Sequence, residues 1–270
     1  MNFCDLLPEN FKEEVIRWAK EDCPATDIGG FVVGSGLSQA HLYCKANTIL
    51  AGVPFANEVF KYYDLSYVWT RKEGEYVDVR SDEDSKNNRV VVCVISGKCR
   101  NILLAERTSL NILSRASGVA NTANRAVKIK EKHKWHGYVS GTRKTTPGFK
   151  NVEKYALVVG GAATHRLDLS QMVMLKDNHI ASAGCITDAV HKARVAAGFS
   201  IKIEVPATIS ACLTYSPQCC HDNLTNTWIV DRYRSSASQL RKLSKLQGLG
   251  LILSCLTTLR TRPFMKLPRV

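Results

Sequence analysis

From Lys134 onward short apolar runs alternate with helix-patterned segments, and this rhythm limits the fold more than any other feature of the chain. "GYVSG" (137–141) reads as a strand, "FKNVEKYALVVGG" (149–161) as a helix and "MVMLK" (172–176) as a strand. "CITDAVHKARVAAG" (185–198) then reads as a helix and "IKIEV" (201–205) as a strand. Strands and helices alternating at this spacing call for right-handed βαβ units on a parallel sheet, open or closed into a barrel. The fold class is therefore α/β.

The chain before Lys134 is patterned differently. Residues 10–20 place Phe11, Val15, Trp18 and Ala19 on one helical face behind Asn10 as a cap. "FANEVFKYY" (55–63) is a helical run, "LSYVWT" (65–70) and "EYVDVR" (75–80) are strand-like, and "RVVVCVIS" (89–96) is a β-branched strand after the loop "SDEDSKNN". A long helix from about Arg100 to Lys134 closes this α+β region. Within it, apolar residues at 103, 104, 110, 112 and 113 mark the packed face, and Glu106 and Arg107 read as solvated.

Composition narrows the function classes. The 270 residues are 45% hydrophobic, enough for a sizeable core and too many for wholesale disorder. No window approaches the roughly 18 uninterrupted apolar residues of a membrane span. The first twenty residues carry acids where a signal peptide has a basic segment, so a cytoplasmic protein without a membrane partner is expected. The 10 cysteines are scattered without paired zinc-site spacing and read as mostly buried, reduced small hydrophobes. A net charge of +13 suits either nucleic acid or a small anionic substrate. No helix-turn-helix, RNP or zinc signature accompanies that charge, so specific nucleic-acid recognition is not expected.

The position of the charge in the first 205 residues favours a small anion. Chemistry on α/β frames gathers in the loops at the carboxyl ends of strands. Thr142, Arg143 and Lys144 follow the first strand, Lys176 ends the second and Glu204 ends the third. In "GTRKTTPGFK" (141–150) the arginine fork, the mobile lysine and the threonine hydroxyls suit an anion cradle; a solvated basic loop is the plainer alternative. "GGAATHRLDL" (160–169) adds His165 and Arg166, which gain meaning if one pocket also holds Arg143. Lys176 either lines a barrel mouth or pairs with Asp177. His179 is a metal ligand by residue type, but one histidine beside one aspartate does not make a metal site.

"ERTSLNILSRASGVA", "GTRKTTPGFKNVEKYALVVGGAATHRLDL", "VMLKDNHI" and "IKIEV", in this order and spacing, closely resemble quinolinate phosphoribosyltransferase over residues 1 to about 205. The resemblance implies transfer of a ribosyl 5-phosphate from phosphoribosyl pyrophosphate to the ring nitrogen of quinolinate. Nicotinate mononucleotide for NAD synthesis, pyrophosphate and CO2 are the products. It implies an N-terminal α/β sandwich over 1–116 and, over 117–205, the first part of an open, TIM-like (β/α) barrel. The assembly is expected to be a homodimer or hexamer with the site at a subunit interface.

By the same resemblance, Arg143, His165 and Arg166 bind the quinolinate carboxylates. Lys144 and Lys176 sit among the phosphates and the reacting carboxylate as the catalytic pair. Arg107 reaches a neighbouring subunit's site, and Mg²⁺ accompanies the pyrophosphate.

Residues 206–270 depart from the family. They hold nine Lys or Arg and two acids, and so carry +7 of the total charge, while the strand–helix rhythm stops. Pro206 stands where the family has a second glutamate after "IKIEV", and the family's Leu-Asp-Asn strand end and Ser-Gly-Gly phosphate loop are missing. The segment reads as a replaced end from a shifted reading frame, a gene-model error or an alternative exon. It leaves an incomplete barrel without the usual metal-binding acids, so little turnover is expected from this polypeptide. A non-catalytic relative that binds quinolinate or joins full-length subunits is the alternative.

Overall fold

The structure, a computed structural model, describes residues 3–81 and 87–205. The expectations for residues 206–270 lie outside the described residues. Two compact units divide between His165 and Arg166.

In the first unit, helix α1 (Phe11–Asp22) buries Phe11, Val15 and Ala19, spaced four apart along one face. Trp18 stays half-buried and packs on Phe149, with ring centroids 5.0 Å apart. Asn10 does precede the helix, but its side chain makes no capping hydrogen bond; its carbonyl accepts from the amides of Glu13 and Glu14 instead. The sequence reading passed over α2 (Ile28–Val33), which Asp27 caps by accepting from the Gly30 amide at 2.8 Å. Also passed over were the strands β1 (Leu37–Cys44) and β2 (Thr48–Ile49).

Helix α3 (Val53–Tyr62) opens at Gly52, whose φ of +100° favours glycine. The Gly52 and Val53 amides both donate to the Glu73 carboxylate at 2.9 Å, so a residue twenty positions away caps this helix. β3 (Ser66–Trp69) and β4 (Tyr76–Val77) follow, β4 pairing with β2. β5 (Val90–Lys98) is central in an antiparallel sheet of order β1-β5-β3. Flanked on both edges, it buries nearly every second residue, Val90, Val92 and Cys93 most completely.

Helix α4 (Cys99–Lys132) is 34 residues long, about 50 Å at 1.5 Å per residue. The apolar positions expected to form its packed face do so only in part: Ile112 and Leu113 are buried, while Leu103 is 44% exposed. The rest of the buried stripe is small, with Ala105, Ser109, Ala116, Ala120 and Ala123 letting other elements come close. Helix α5 (Lys150–Val159) packs on α4, and the Phe55 ring meets both Phe11 and Tyr155 edge-on, at 5.4 Å between centroids in each case.

"GYVSG" does not form the expected strand; it contributes one parallel bridge, Ser140 to Ala163. The Gly141 amide donates to the Ala163 carbonyl at 2.9 Å, and the Ala163 amide to the Val139 carbonyl at 2.8 Å.

In the second unit, β6 (Met172–Met174) and β7 (Lys202–Glu204) pair in parallel. Between them run α6 (Asp177–Ala183), unforeseen in the sequence, and α7 (Ile186–Ala197). Leu175, Ala189, Val190, Ile203 and Val205 form their core. The cysteines are a correction to the sequence reading: of the six described, only Cys93 is buried, and its burial pushes the thiol up to about 11. Among the described residues no helix is long and apolar enough to cross a membrane.

Candidate functional site

The single parallel bridge sets the direction of two segments. Thr142 leaves one side of it shortly after Ser140, and Thr164 and His165 leave the other after Ala163. Because the pairing is parallel, the 142–148 loop and His165 emerge at the same end, with α5 as the crossover between them.

Arg143 and Lys144 are exposed on this loop, open to a ligand. The loop is nevertheless anchored. Thr146 gives the Glu153 carboxylate its amide at 3.0 Å and its hydroxyl at 2.7 Å, and the Thr142 hydroxyl accepts from the Lys144 amide at 3.1 Å. Arg115 on α4 approaches Glu153 with its Nε at 3.5 Å from Oε1. Lys154, only 3% exposed, donates its Nζ to the Thr164 carbonyl. Burial, then the charge of Lys150 one turn earlier, depresses the Lys154 amine to about 8. His165 itself has a φ of +56°, a left-handed conformation unusual for a residue with a side chain.

Arg107 is exposed on α4, with its Nη2 3.8 Å from Glu106, as the solvated reading expected. In the second unit, Arg166 is half-buried and donates Nη1 to the Met172 carbonyl at 3.0 Å, at the amino end of β6. Lys176 is exposed just beyond the carboxyl end of β6, where its amide donates to His179 Nδ1 at 3.0 Å. His179 thus serves the first turn of α6. Leu175 donates its amide to the Glu204 carbonyl at 2.9 Å, so Lys176 and Glu204 lie at the same end of the β6–β7 pair. The residues the structure brings together are thus Arg143, Lys144 and His165 on the first unit, and Lys176 and Glu204 on the second.

Among the described residues no three of His, Cys, Asp or Glu converge to hold a metal. Glu204 by itself does not fit a Mg²⁺ site, which takes several oxygen ligands.

Glu153, Lys154 and Arg115 are the members that the sequence reading missed, and the Thr146 hydroxyl, read there as part of an anion cradle, is instead given to Glu153. A signal was present: "VEKYALVV" sets two adjacent charges inside an apolar helical run, where burial without partners is costly.

Fold and loops together define an α/β protein with exposed guanidinium and ammonium groups just beyond its parallel pairings. Comparison with known proteins makes the class specific. Residues 30–117 match the quinolinate phosphoribosyl transferase N-terminal domain, and residues 119–213 match its C-terminal domain. The carboxylating nicotinate-nucleotide pyrophosphorylase of Dictyostelium discoideum is 44% identical over 213 residues, 76% of this chain and 71% of that protein. The Rattus norvegicus protein of the same name is 46% identical over 201 residues, 74% of this chain and 64% of its own length.

Among solved structures, the nicotinate-nucleotide pyrophosphorylase from Francisella tularensis superposes with a TM-score of 0.62 at 32% identity, covering 72% of this chain and 67% of its own. NadC from Streptococcus pyogenes gives 0.65 at 30% identity, covering 73% and 68%. The chain belongs to the quinolinate phosphoribosyltransferase family. It spans about two thirds of the length of these relatives.

Proposed function

We propose that the chain acts in NAD biosynthesis as a decarboxylating quinolinate phosphoribosyltransferase, a pentosyltransferase. The observation that carries this reading is the anchored 142–148 loop, which presents Arg143 and Lys144 beside the segment bearing His165, in a chain that both family domains match.

In the reaction the pyridine nitrogen forms a bond to the ribosyl carbon as the bond to pyrophosphate breaks, the electron pair leaving with the pyrophosphate. The ring carboxylate beside the nitrogen departs as CO2, and a proton replaces it. Arg143, His165 and Arg166 bind the two carboxylates of quinolinate, with the arginine fork suited to bidentate pairing. Lys144 and Lys176 stand among the phosphates and the reacting carboxylate. The developing charge at the ribosyl carbon is positive, so these cations act by positioning the partners and stabilising the leaving pyrophosphate, not by attack. Mg²⁺ would arrive bound to the pyrophosphate of the substrate and not on a site built by the described residues.

Arg107, exposed on α4, reaches the site of a second copy in a homodimer or hexamer. The division into an N-terminal sandwich over 1–116 and the first part of a TIM-like barrel over 117–205 is supported by the two family matches meeting at 117–119. Six free thiols among the described residues suit a reducing compartment such as the cytoplasm.

The test is turnover of purified chain with quinolinate, phosphoribosyl pyrophosphate and Mg²⁺, following nicotinate mononucleotide. Product establishes the activity. Its absence with quinolinate still bound leaves a binding half-site, and absence of both overturns the reading.

A further inference from the structure

We propose that Glu153 and Lys154, consecutive residues of α5, are positioning residues that lock the two segments meeting the substrate, Glu153 holding the 142–148 loop and Lys154 the turn that enters His165. This rests on the quinolinate-binding reading given above.

Both side chains are charged and buried, at 8% and 3% exposure, among Val152, Tyr155 and Ala156, which are buried too. A buried ion is costly unless its partners replace water, so an apolar residue would serve packing better at either position. What an apolar residue cannot do is hold backbone. Successive helix residues diverge by about 100° around the axis, so these two reach different segments from one rigid element.

Glu153 accepts the amide of Thr146 at 3.0 Å and its hydroxyl at 2.7 Å, and Arg115 supplies a compensating charge at 3.5 Å. Thr146 lies two and three residues from the exposed Lys144 and Arg143, so its anchor limits how far the backbone that carries them can shift. Lys154 holds the Thr164 carbonyl immediately before His165, whose left-handed backbone persists only if its surroundings fix it. The Lys154 amine is held near 8, and in either protonation state it retains a proton to donate to that carbonyl. Its role here is therefore hydrogen bonding more than charge.

The experiment uses the full chain and three variants: Glu153→Gln, Lys154→Met and Thr146→Val. The last changes an exposed loop residue and keeps the hypothesis testable if a buried variant does not fold. Hydrogen exchange is followed in peptides covering 141–149 and 162–167, quinolinate affinity by calorimetry, and the thermal midpoint by circular dichroism.

Glu153→Gln and Thr146→Val are expected to speed exchange in the first peptide only, and Lys154→Met in the second only. Quinolinate binding should weaken roughly 10-fold in each, the size of losing one hydrogen bond to a charged group. The Glu153→Gln and Thr146→Val losses should add less than fully when combined, because both weaken the contact between Thr146 and Glu153. Unchanged exchange in both peptides overturns the inference, as does loosening without any effect on bound quinolinate. If the unsubstituted chain binds no quinolinate, the functional reading falls, while the exchange pattern still decides whether these residues lock the loops.

Discussion

The Glu153 carboxylate takes both donors of Thr146, the amide at 3.0 Å and the hydroxyl at 2.7 Å, and so ties a surface loop to the buried face of a helix seven residues later. This anchors the backbone of the loop that carries the exposed Arg143 and Lys144. A basic loop without the tie would spend its time solvated, and its arginine would lose entropy on every binding event.

Arg143→Ala should separate binding from stability. The side chain is exposed and distant from the core, so unfolding free energy should change by no more than about 0.5 kcal/mol. Quinolinate affinity should fall by roughly 10-fold or more, as expected when a charge-assisted pair is removed. Calorimetry and urea unfolding on the same preparation check this, and equal affinity in both proteins would remove Arg143 from the site.

Glu73→Ala should destabilise the first unit. Glu73 accepts the amides of Gly52 and Val53 at 2.9 Å each, and its removal leaves the first turn of α3 without an acceptor. A loss of about 1–3 kcal/mol is expected in urea unfolding. A loss well below that range would mean water replaces the carboxylate without cost.

Gly160→Ala tests the close approach of α5 to α4. A Cβ at this position would meet the Ala120 carbonyl oxygen at 2.4 Å and the Ala123 Cβ at 2.8 Å. Because φ at Gly160 is −75°, the penalty comes from packing and not from backbone conformation. About 1–3 kcal/mol of destabilisation is expected, measured by the urea midpoint at constant m.

Lys154 should leave a signature in the pH dependence of stability. Burial, reinforced by the charge of Lys150, lowers its amine from the ordinary 10.5 to about 8, so the unfolded chain holds this proton more tightly than the folded one. This group therefore adds stability as pH rises from about 8 to about 10.5 and contributes no slope below or above that window. Other groups titrate there as well, so the quantity to measure is the difference between the unsubstituted chain and Lys154→Met. That difference should move in favour of the unsubstituted chain between about pH 7.5 and about pH 10, and a flat difference would mean Lys154 is solvated.

Long elements with a clear period were legible in the sequence. Helices α1, α3, α4, α5 and α7 and strand β5 carry apolar repeats that are buried in the structure, and any compact state of this chain must bury them. The residues at 143, 144, 165, 166 and 176 stood out in the sequence because anion recognition draws on few residue types.

Tertiary structure decided what depended on partners distant in sequence. Asn10 looks like a cap and does not act as one, whereas Glu73, with no local signal, caps α3. Leu103 fits the helical stripe and faces solvent, because small residues define the contact surface of α4 instead. "GYVSG" has the letters of a strand but finds only one bridging partner, at Ala163. Glu153 and Lys154 look like surface charges in a one-dimensional reading. Only the packed helix shows that their heads reach the Thr146 donors and the Thr164 carbonyl, since the cost of burying a charge depends on which groups the fold brings within hydrogen-bonding distance.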